Sequence, residues 1–303
     1  HDLKEMSKQG QIPTAFNQGI IRWEVPKFED CFKTGFFELR TNAATQAAGQ
    51  PALSTEALVN HFGYVAFRRM YIHLTNNPYT AEFEVPYFMY DRHHLKYNSD
   101  KFMPYLATSM LSGVAAAVRQ AALTRGHTAV IPLEVGQAYE GFENMFWISP
   151  LAHNMMIYAQ LANASDVIED PTGTSGASIG NLNTIISDVK LFLSMNTVDD
   201  DARANAIAVY NSDDGLYNMV REPRLWQFDI PQAVTSGVVS LDMEETRAFS
   251  AFTIFYESNF NTVTAWRKSP FDIGGLQRPS GDGTNALIHF TDFELTSLGG
   301  ETI

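Results

Sequence analysis

A single cysteine, Cys31, stands in 303 residues. No intrachain disulfide can form, so the fold does not depend on an oxidising compartment. Free cysteines mostly behave as buried small hydrophobes, and that is the role expected of Cys31. Positive charge is also scarce. Lys and Arg number 21 against 34 Asp and Glu, a net charge of −13. A surface that wraps nucleic acid needs the opposite sign, so direct nucleic-acid contact is not expected. No run of about 18 apolar residues occurs, which removes a membrane-spanning helix. The opening HDLKEMSKQGQ has no basic-then-apolar signal design and no Met at position 1. Residues 1–15 read as a loose polar arm.

Motifs that carry chemistry are missing too. There is no G-x-S-x-G, no P-loop, no G-x-G-x-x-G, no H-E-x-x-H and no Cys/His zinc spacing. His93 and His94 are adjacent, and strand neighbours point to opposite faces, so they would not chelate one metal. His61, His73, His127, His153 and His289 are scattered. The run Asp199–Asp201 could bind calcium, but it lacks EF-hand spacing. Three acids at a helix start are explained by the helix dipole. The stretch Gly281–Gly283 reads as a hairpin loop. Carboxylate pairs such as Glu244–Glu245 keep a glycosidase open, since its two acids need no fixed spacing. The expectation is therefore no enzyme, no cofactor, and no catalytic, cofactor-binding or metal residue.

What is present is alternation with period two. Ile21, Trp23 and Val25 face one way, with Arg22 and Glu24 the other. The same holds for Phe37 and Leu39, for Met70, Ile72 and Leu74, and for Ile131, Leu133 and Val135. It recurs at Met155–Leu161, Val189–Leu193, Val239–Met243, Phe252–Tyr256 and Phe293–Leu295. Short alternating runs separated by turn residues read as antiparallel sheet with one wet face. Aromatics at 12% suit such pleated surfaces. Two stretches break the pattern. Residues 102–125 place Met103, Leu106, Met110, Val114, Val118 and Ala121 at helical spacing, with Gly126 as the stop. Residues 198–211 form the second, with Thr197 and Asp200 resembling a capping pair.

The expected fold is all-β with one or two inserted helices, as two antiparallel barrels in tandem. The stretch 169–181, dense in Gly, Ser, Thr and Pro, is the expected linker. It divides an arm and first barrel at 1–168 from a second barrel at 182–303. Loops at 43–58, 136–145, 169–181 and 267–285 are too long for simple hairpin turns.

A resemblance sharpens this. Residues 131–163 carry Pro132–Leu133, Phe146–Trp147, Pro150–Leu151–Ala152 and the strand Met156–Leu161. Bulky aromatics and a rigid proline pin a loop between two strands. This resembles double jelly-roll major capsid proteins of the lineage shared by adenovirus-like viruses and membrane-containing bacteriophages. Residues 187–206 and 238–258 are similar to a strand, acidic turn and Arg-containing helix, and to the strand pair opening the second barrel, in that family. Compact size brings the chain nearest to phage members, with a membrane-containing single-stranded-DNA phage of Flavobacterium as the reference point. The resemblance implies two jelly-roll barrels in tandem and a homotrimer forming a pseudo-hexagonal block. It implies tiling with neighbouring trimers into an icosahedral virion shell, over an internal membrane, with minor capsid or vertex proteins as further partners. The acidic charge fits a shell whose genome lies behind another layer. Lys4 and Lys8 are the expected contacts to anionic headgroups. The long loops are expected to reach over neighbours and order on assembly.

The alternative is a β-sandwich carbohydrate- or receptor-binding protein, a lectin or viral spike, using exposed Trp and Tyr. Trp23, Trp147, Trp226 and Trp266 lie far apart, three of them in apolar strand contexts that favour core packing. A β-rich hydrolase is the third reading.

Overall fold

The computed structural model describes residues 2–27, 29–74, 80–84, 108–133, 146–148, 154–170, 176–212, 277–279 and 285–287. The described chain is mostly β-sheet with few helices. Its strands are β1 (Asp2–Glu5), β2 (Ser7–Gln9), β3 (Ile20–Val25), β4 (Cys31–Thr41), β5 (Ala57–Leu58), β6 (Phe67–Leu74) and β7 (Thr80–Glu84). Then follow β8 (His127–Pro132), β9 (Phe146–Trp147), β10 (Met155–Leu161), β11 (Ile168–Glu169) and β12 (Ile186–Asn196). A separate hairpin joins β13 (Gln277–Pro279) to β14 (Asn285–Leu287).

The alternating residues do what their period requires. Ile21, Trp23 and Val25 are buried, as are Phe37 and Leu39, Met70 and Ile72, Met155 through Leu161 at every second position, and Val189, Leu191 and Leu193. Their intervening neighbours are half-buried or exposed. Two sheets face one another across this apolar layer. One has the order β1-β12-β4-β8, with β9 also on β4; the other has β2-β3-β10-β6-β7. At the centre the Phe37 ring of the first sheet lies 5.3 Å from Trp23 and 4.9 Å from Phe67 of the second.

Numbering only β1, β3, β4, β6, β7, β8, β10 and β12 from one to eight makes the topology plain. The sheets become 1-8-3-6 and 2-7-4-5. Strand one pairs with eight, two with seven, three with six and four with five, all antiparallel. Pairs eight with three and seven with four then roll this long ribbon into a closed sandwich. That is the jelly-roll wrap.

Four features differ from the sequence expectations. The first is the division of the chain. Residues 186–196, expected beyond a linker at 169–181 and within a second unit at 182–303, form β12 between β1 and β4. The described residues of 169–181 are fastened to the barrel. Ile179 bridges to Gln46, and the wholly buried Asp170 accepts a hydrogen bond from the Gly176 amide at 2.9 Å. The second is the helix at 102–125. Its described part is helical over Ala116–Arg125 and is broken before that by Leu111 at φ 54° and Gly113 at φ 69°. A left-handed leucine cannot continue a right-handed helix. The third is the arm. Residues 2–9 are β1 and β2, hydrogen-bonded to β12 and β3. The fourth concerns loops 43–58 and 169–181. Their described residues are knitted within the chain: Ala47 N donates to Ser178 O, Gly180 N to Thr45 O, and Thr45 N to Asn181 Oδ1.

The second helix, Asp200–Tyr210, falls within its expected range. Asp199 is its cap, accepting from the Ala202 amide at 2.7 Å, while Thr197 turns away to donate to Glu29. Residues 134–145, Val239–Met243, Phe252–Tyr256, Phe293–Leu295 and Gly281–Gly283 lie outside the described residues. Among the described residues no helix is long and apolar enough to cross a membrane.

Candidate functional site

Three groups of charged side chains in the described chain fasten one element to another. At the end where β12 leaves the barrel, Glu29 and Asp30 sit buried just before β4. Asp30 accepts from Arg203 Nε at 2.6 Å, from Arg203 Nη2 at 3.0 Å and from the Val198 amide at 2.8 Å. Arg203 also donates to Asp200 Oδ1 at 3.0 Å. The planar guanidinium thereby clasps the helix Asp200–Tyr210 to the sheet through a bidentate contact. The Asp30 carboxylate holds the Arg203 guanidinium above its ordinary range.

The second place is the strap of β1 and β2. Lys4 pairs with Glu29, Lys8 with Asp188 at 2.5 Å, and Lys190 with Glu5 at 2.9 Å. The Lys4 ammonium, then the Thr197 hydroxyl, hold the Glu29 carboxyl below the usual carboxylate range. Burial pushes Asp188 upward, and Lys8, with the Val189 amide and Lys190, more than reverses that, leaving it lowered. Lys4 and Lys8, expected to meet lipid headgroups, are thus committed to carboxylates of their own chain.

The third place is the opposite end, under the knitted loops. Arg119 is buried and donates through Nη1 to Leu58 O at 2.8 Å and to Glu169 Oε2 at 2.7 Å. Glu56 is buried too, accepting from Ser178 Oγ at 2.5 Å and from the amides of Ser54 and Thr55. Arg119 thereby ties β5 and β11 to the helix Ala116–Arg125, and Glu56 ties residues 54–55 to Ser178.

The residues weighed for chemistry are dispersed. His61 contacts Ser112 Oγ through Nδ1 at 2.6 Å. His127 Nε2 lies 2.7 Å from the Ser109 carbonyl, which can only accept, so that nitrogen carries the proton. Burial pushes the His127 pKa down, against a smaller opposing effect of that carbonyl. His73 stands against Tyr158 on the outer face of the second sheet. Asp199 caps, Asp200 pairs and Asp201 is exposed. Among the described residues no three His, Cys, Asp or Glu side chains are placed to hold a metal ion. Cys31 is buried, and burial, then the neighbouring Asp30, pushes its thiol up to about 11. Trp23 is fully buried and Trp147 half-buried. His93, His94, His153, His289, Glu244, Glu245, Trp226 and Trp266 lie outside the described residues.

One surface was not anticipated. On the outer face of the first sheet, Phe192 of β12 pairs with Phe36 of β4, and Phe36 with Pro132 of β8. The two Phe rings stack at 5.1 Å and 21°. Leu3 of β1, 58% exposed, lies next to this row opposite Ser194. An apolar row therefore crosses β12, β4 and β8 on the side that should be wet, with Leu3 diagonal to it on β1, where Glu5 stands opposite Phe192. Glu5 pairs with Lys190, and the neighbouring Glu38 with Arg40. The signal was present in the sequence as Phe36–Phe37, two adjacent aromatics where alternation demands one.

No family model and no curated protein matches the chain. Among solved structures it is similar to the PBCV-1 virus capsid quasi-atomic model, with 9% identity and a TM-score of 0.49 over 67% of this chain and 43% of that one. It is similar to the Faustovirus major capsid protein at 9% identity and TM-score 0.49, over 68% of this chain and 56% of that one. The mavirus major capsid protein matches at 9% identity and TM-score 0.37, over 66% and 47%. The chain thus spans about half the length of these structures.

Proposed function

We propose that this chain is a major capsid protein, a structural subunit that builds a virion shell from copies of itself. The observation that carries the reading is the apolar band Leu3, Phe192, Phe36 and Pro132 on the outside of a complete jelly roll. An outward row of large apolar groups is a surface built to be covered. The sequence resemblance of 131–163, 187–206 and 238–258 to double jelly-roll capsid proteins supports the same role. The first barrel closes at Asn196, and about a third of the chain follows. That remainder holds the alternating runs Val239–Met243, Phe252–Tyr256 and Phe293–Leu295, suited to a second barrel. On this reading the domain boundary falls after residue 196.

The finer reading is a homotrimer, pseudo-hexagonal in outline, tiling with neighbouring trimers into an icosahedral shell of a bacteriophage with an internal membrane. Minor capsid or vertex proteins complete the partners, and no nucleic acid touches the subunit directly. Permanent contacts of this kind bury about 2,000 Å² or more, largely apolar. Sedimentation of the full chain, followed by negative-stain microscopy, tests it. Trimers or closed particles are expected, and Phe36→Glu shifts them to monomer with the barrel still folded. A wild-type chain that stays a monodisperse monomer would overturn the reading.

A further inference from the structure

The helix Asp200–Tyr210 is turned the wrong way round for one that rests on a barrel. Its inner side carries Arg203, clasped to Asp30, and Ala206, its one buried residue. Its apolar residues look elsewhere. Ala204, Ile207 and Ala208 stand at i, i+3 and i+4, a single stripe turned away from Ala206. All three are exposed, Ile207 at 38%. Val209, 44% exposed, lies on the opposite flank. An 11-residue helix is marginal in water by itself, and helices in proteins are held mainly by packing of an apolar face. One buried alanine, the Asp199 cap and one guanidinium leave this helix short of that support.

The sequence places a turn and a second apolar run directly after it. The chain leaves the helix tightly: Asn211 N donates to Ile207 O, and Ser212 donates to Val209 O through both its amide and its hydroxyl. Residues 211–215, Asn-Ser-Asp-Asp-Gly, read as turn chemistry, with Asp-Gly the strongest part of the signal. Leu216, Tyr217, Met219 and Val220 follow. A tether this short holds the run near the stripe at an effective concentration on the order of millimolar, which any untethered partner has to exceed. We infer that residues 216–220 fold back on the helix of their own chain and cover Ala204, Ile207 and Ala208. The small side chains at 204 and 208 admit a close approach, and Ile207 supplies the bulk between them. The helix is then a joint. Charge binds one side of it to the first barrel through Arg203 and Asp30, and apolar contact binds the other side to the chain that follows. The direction in which the rest of the chain leaves the barrel is thereby fixed. The inference concerns a single chain and does not depend on assembly.

Limited trypsin digestion of the full chain tests it, because Arg221 and Arg224 lie directly after the run. Wild-type cleavage there is expected to be slow, at a rate independent of protein concentration. Ile207→Gln should speed it about tenfold, since cleavage follows the population of the opened segment. Leu216→Gln should do the same from the other side of the contact. Val209→Gln, the same change on the opposite flank, should leave the wild-type rate. An unmoved urea transition of the first barrel in each variant shows that it stays folded. Equal cleavage of wild type and Ile207→Gln overturns the inference, because the stripe is then wet. Protection that fades on dilution overturns it too, and gives the stripe to a second copy. A chain that forms no trimers or particles, yet shows the expected cleavage pattern, refutes the shell reading and leaves the joint standing.

Discussion

Replacing Trp23 with Phe should leave the barrel within about 1 kcal/mol of its original stability, although the site is wholly buried. The substitution removes roughly two carbon atoms of apolar contact, at ~0.8 kcal/mol for each methylene-sized group, or about 2 kcal/mol lost. It also removes an indole N–H that has no hydrogen-bond partner. An unsatisfied buried donor costs about 1–3 kcal/mol, so its removal offsets the lost contact. The tilted ring contact with Phe37 at 5.3 Å is retained in kind by the new benzyl group. Phe37→Ala is the contrast. It deletes the ring that bridges Trp23 and Phe67 and has no orphan group to relieve, so a loss of about 3–5 kcal/mol is expected. Equilibrium urea unfolding followed by circular dichroism measures both, independently of tryptophan fluorescence. A Trp23→Phe loss above about 3 kcal/mol would show that the indole N–H is satisfied in solution and that its burial carries no penalty.

Three other outcomes follow from particular residues. Gly126 stands at φ 81°, and a Cβ there would lie 2.7 Å from the Thr41 carbonyl oxygen, a backbone atom, so Gly126→Ala should cost about 2 kcal/mol or more, read as a lowered Tm. His127 has a lowered pKa in the fold, so the unfolded chain takes up a proton first as pH falls through about 6.5. Stability is therefore full above that pH and declines as pH falls towards the folded pKa, and His127→Gln should flatten that slope in urea titrations at pH 5 and pH 7.5. The Cys31 thiol, buried and pushed up to about 11, should resist a thiol reagent at pH 8 in the folded protein and react only as fast as the barrel opens.

The strands were legible because alternation is a local signal. Ile21, Trp23 and Val25, or Val189, Leu191 and Leu193, announce a buried face within six residues. Partnership was not legible in the same way. Nothing near Ile186–Asn196 says that it lies between β1 and β4, and the Gly- and Ser-rich stretch before it looks like a linker until Asp170 and Ile179 are seen pinned. The polar strap misled for a related reason. Its lysines find acids at Glu29 and Asp188, the latter 180 residues away, and composition cannot reveal such pairs. The break at Leu111 was hidden because apolar spacing predicts a helix without sensing a left-handed backbone. The outward band was half-visible: Phe36–Phe37 violates alternation, but only register brings Phe192 and Pro132 beside it.

The ribbon pairing of first strand with last also sets a timetable. Glu5 meets Lys190 across 185 positions of sequence. A ribosome adding about 5–20 residues per second needs roughly 10–40 s to bridge that gap. Through that interval the nascent chain already holds β3, β4, β6 and β7, yet the strand that separates β1 from β4 does not exist. The edges of β4 and β1 stay unpaired, and on a crowded polysome several such chains lie within reach of one another. Contacts so distant in sequence also make the search for the closed state slow once synthesis ends. Slowing translation far enough beyond Asn196 for β12 to have left the ribosome should therefore raise the soluble yield, whereas the same rare codons placed before Ile186 should lower it.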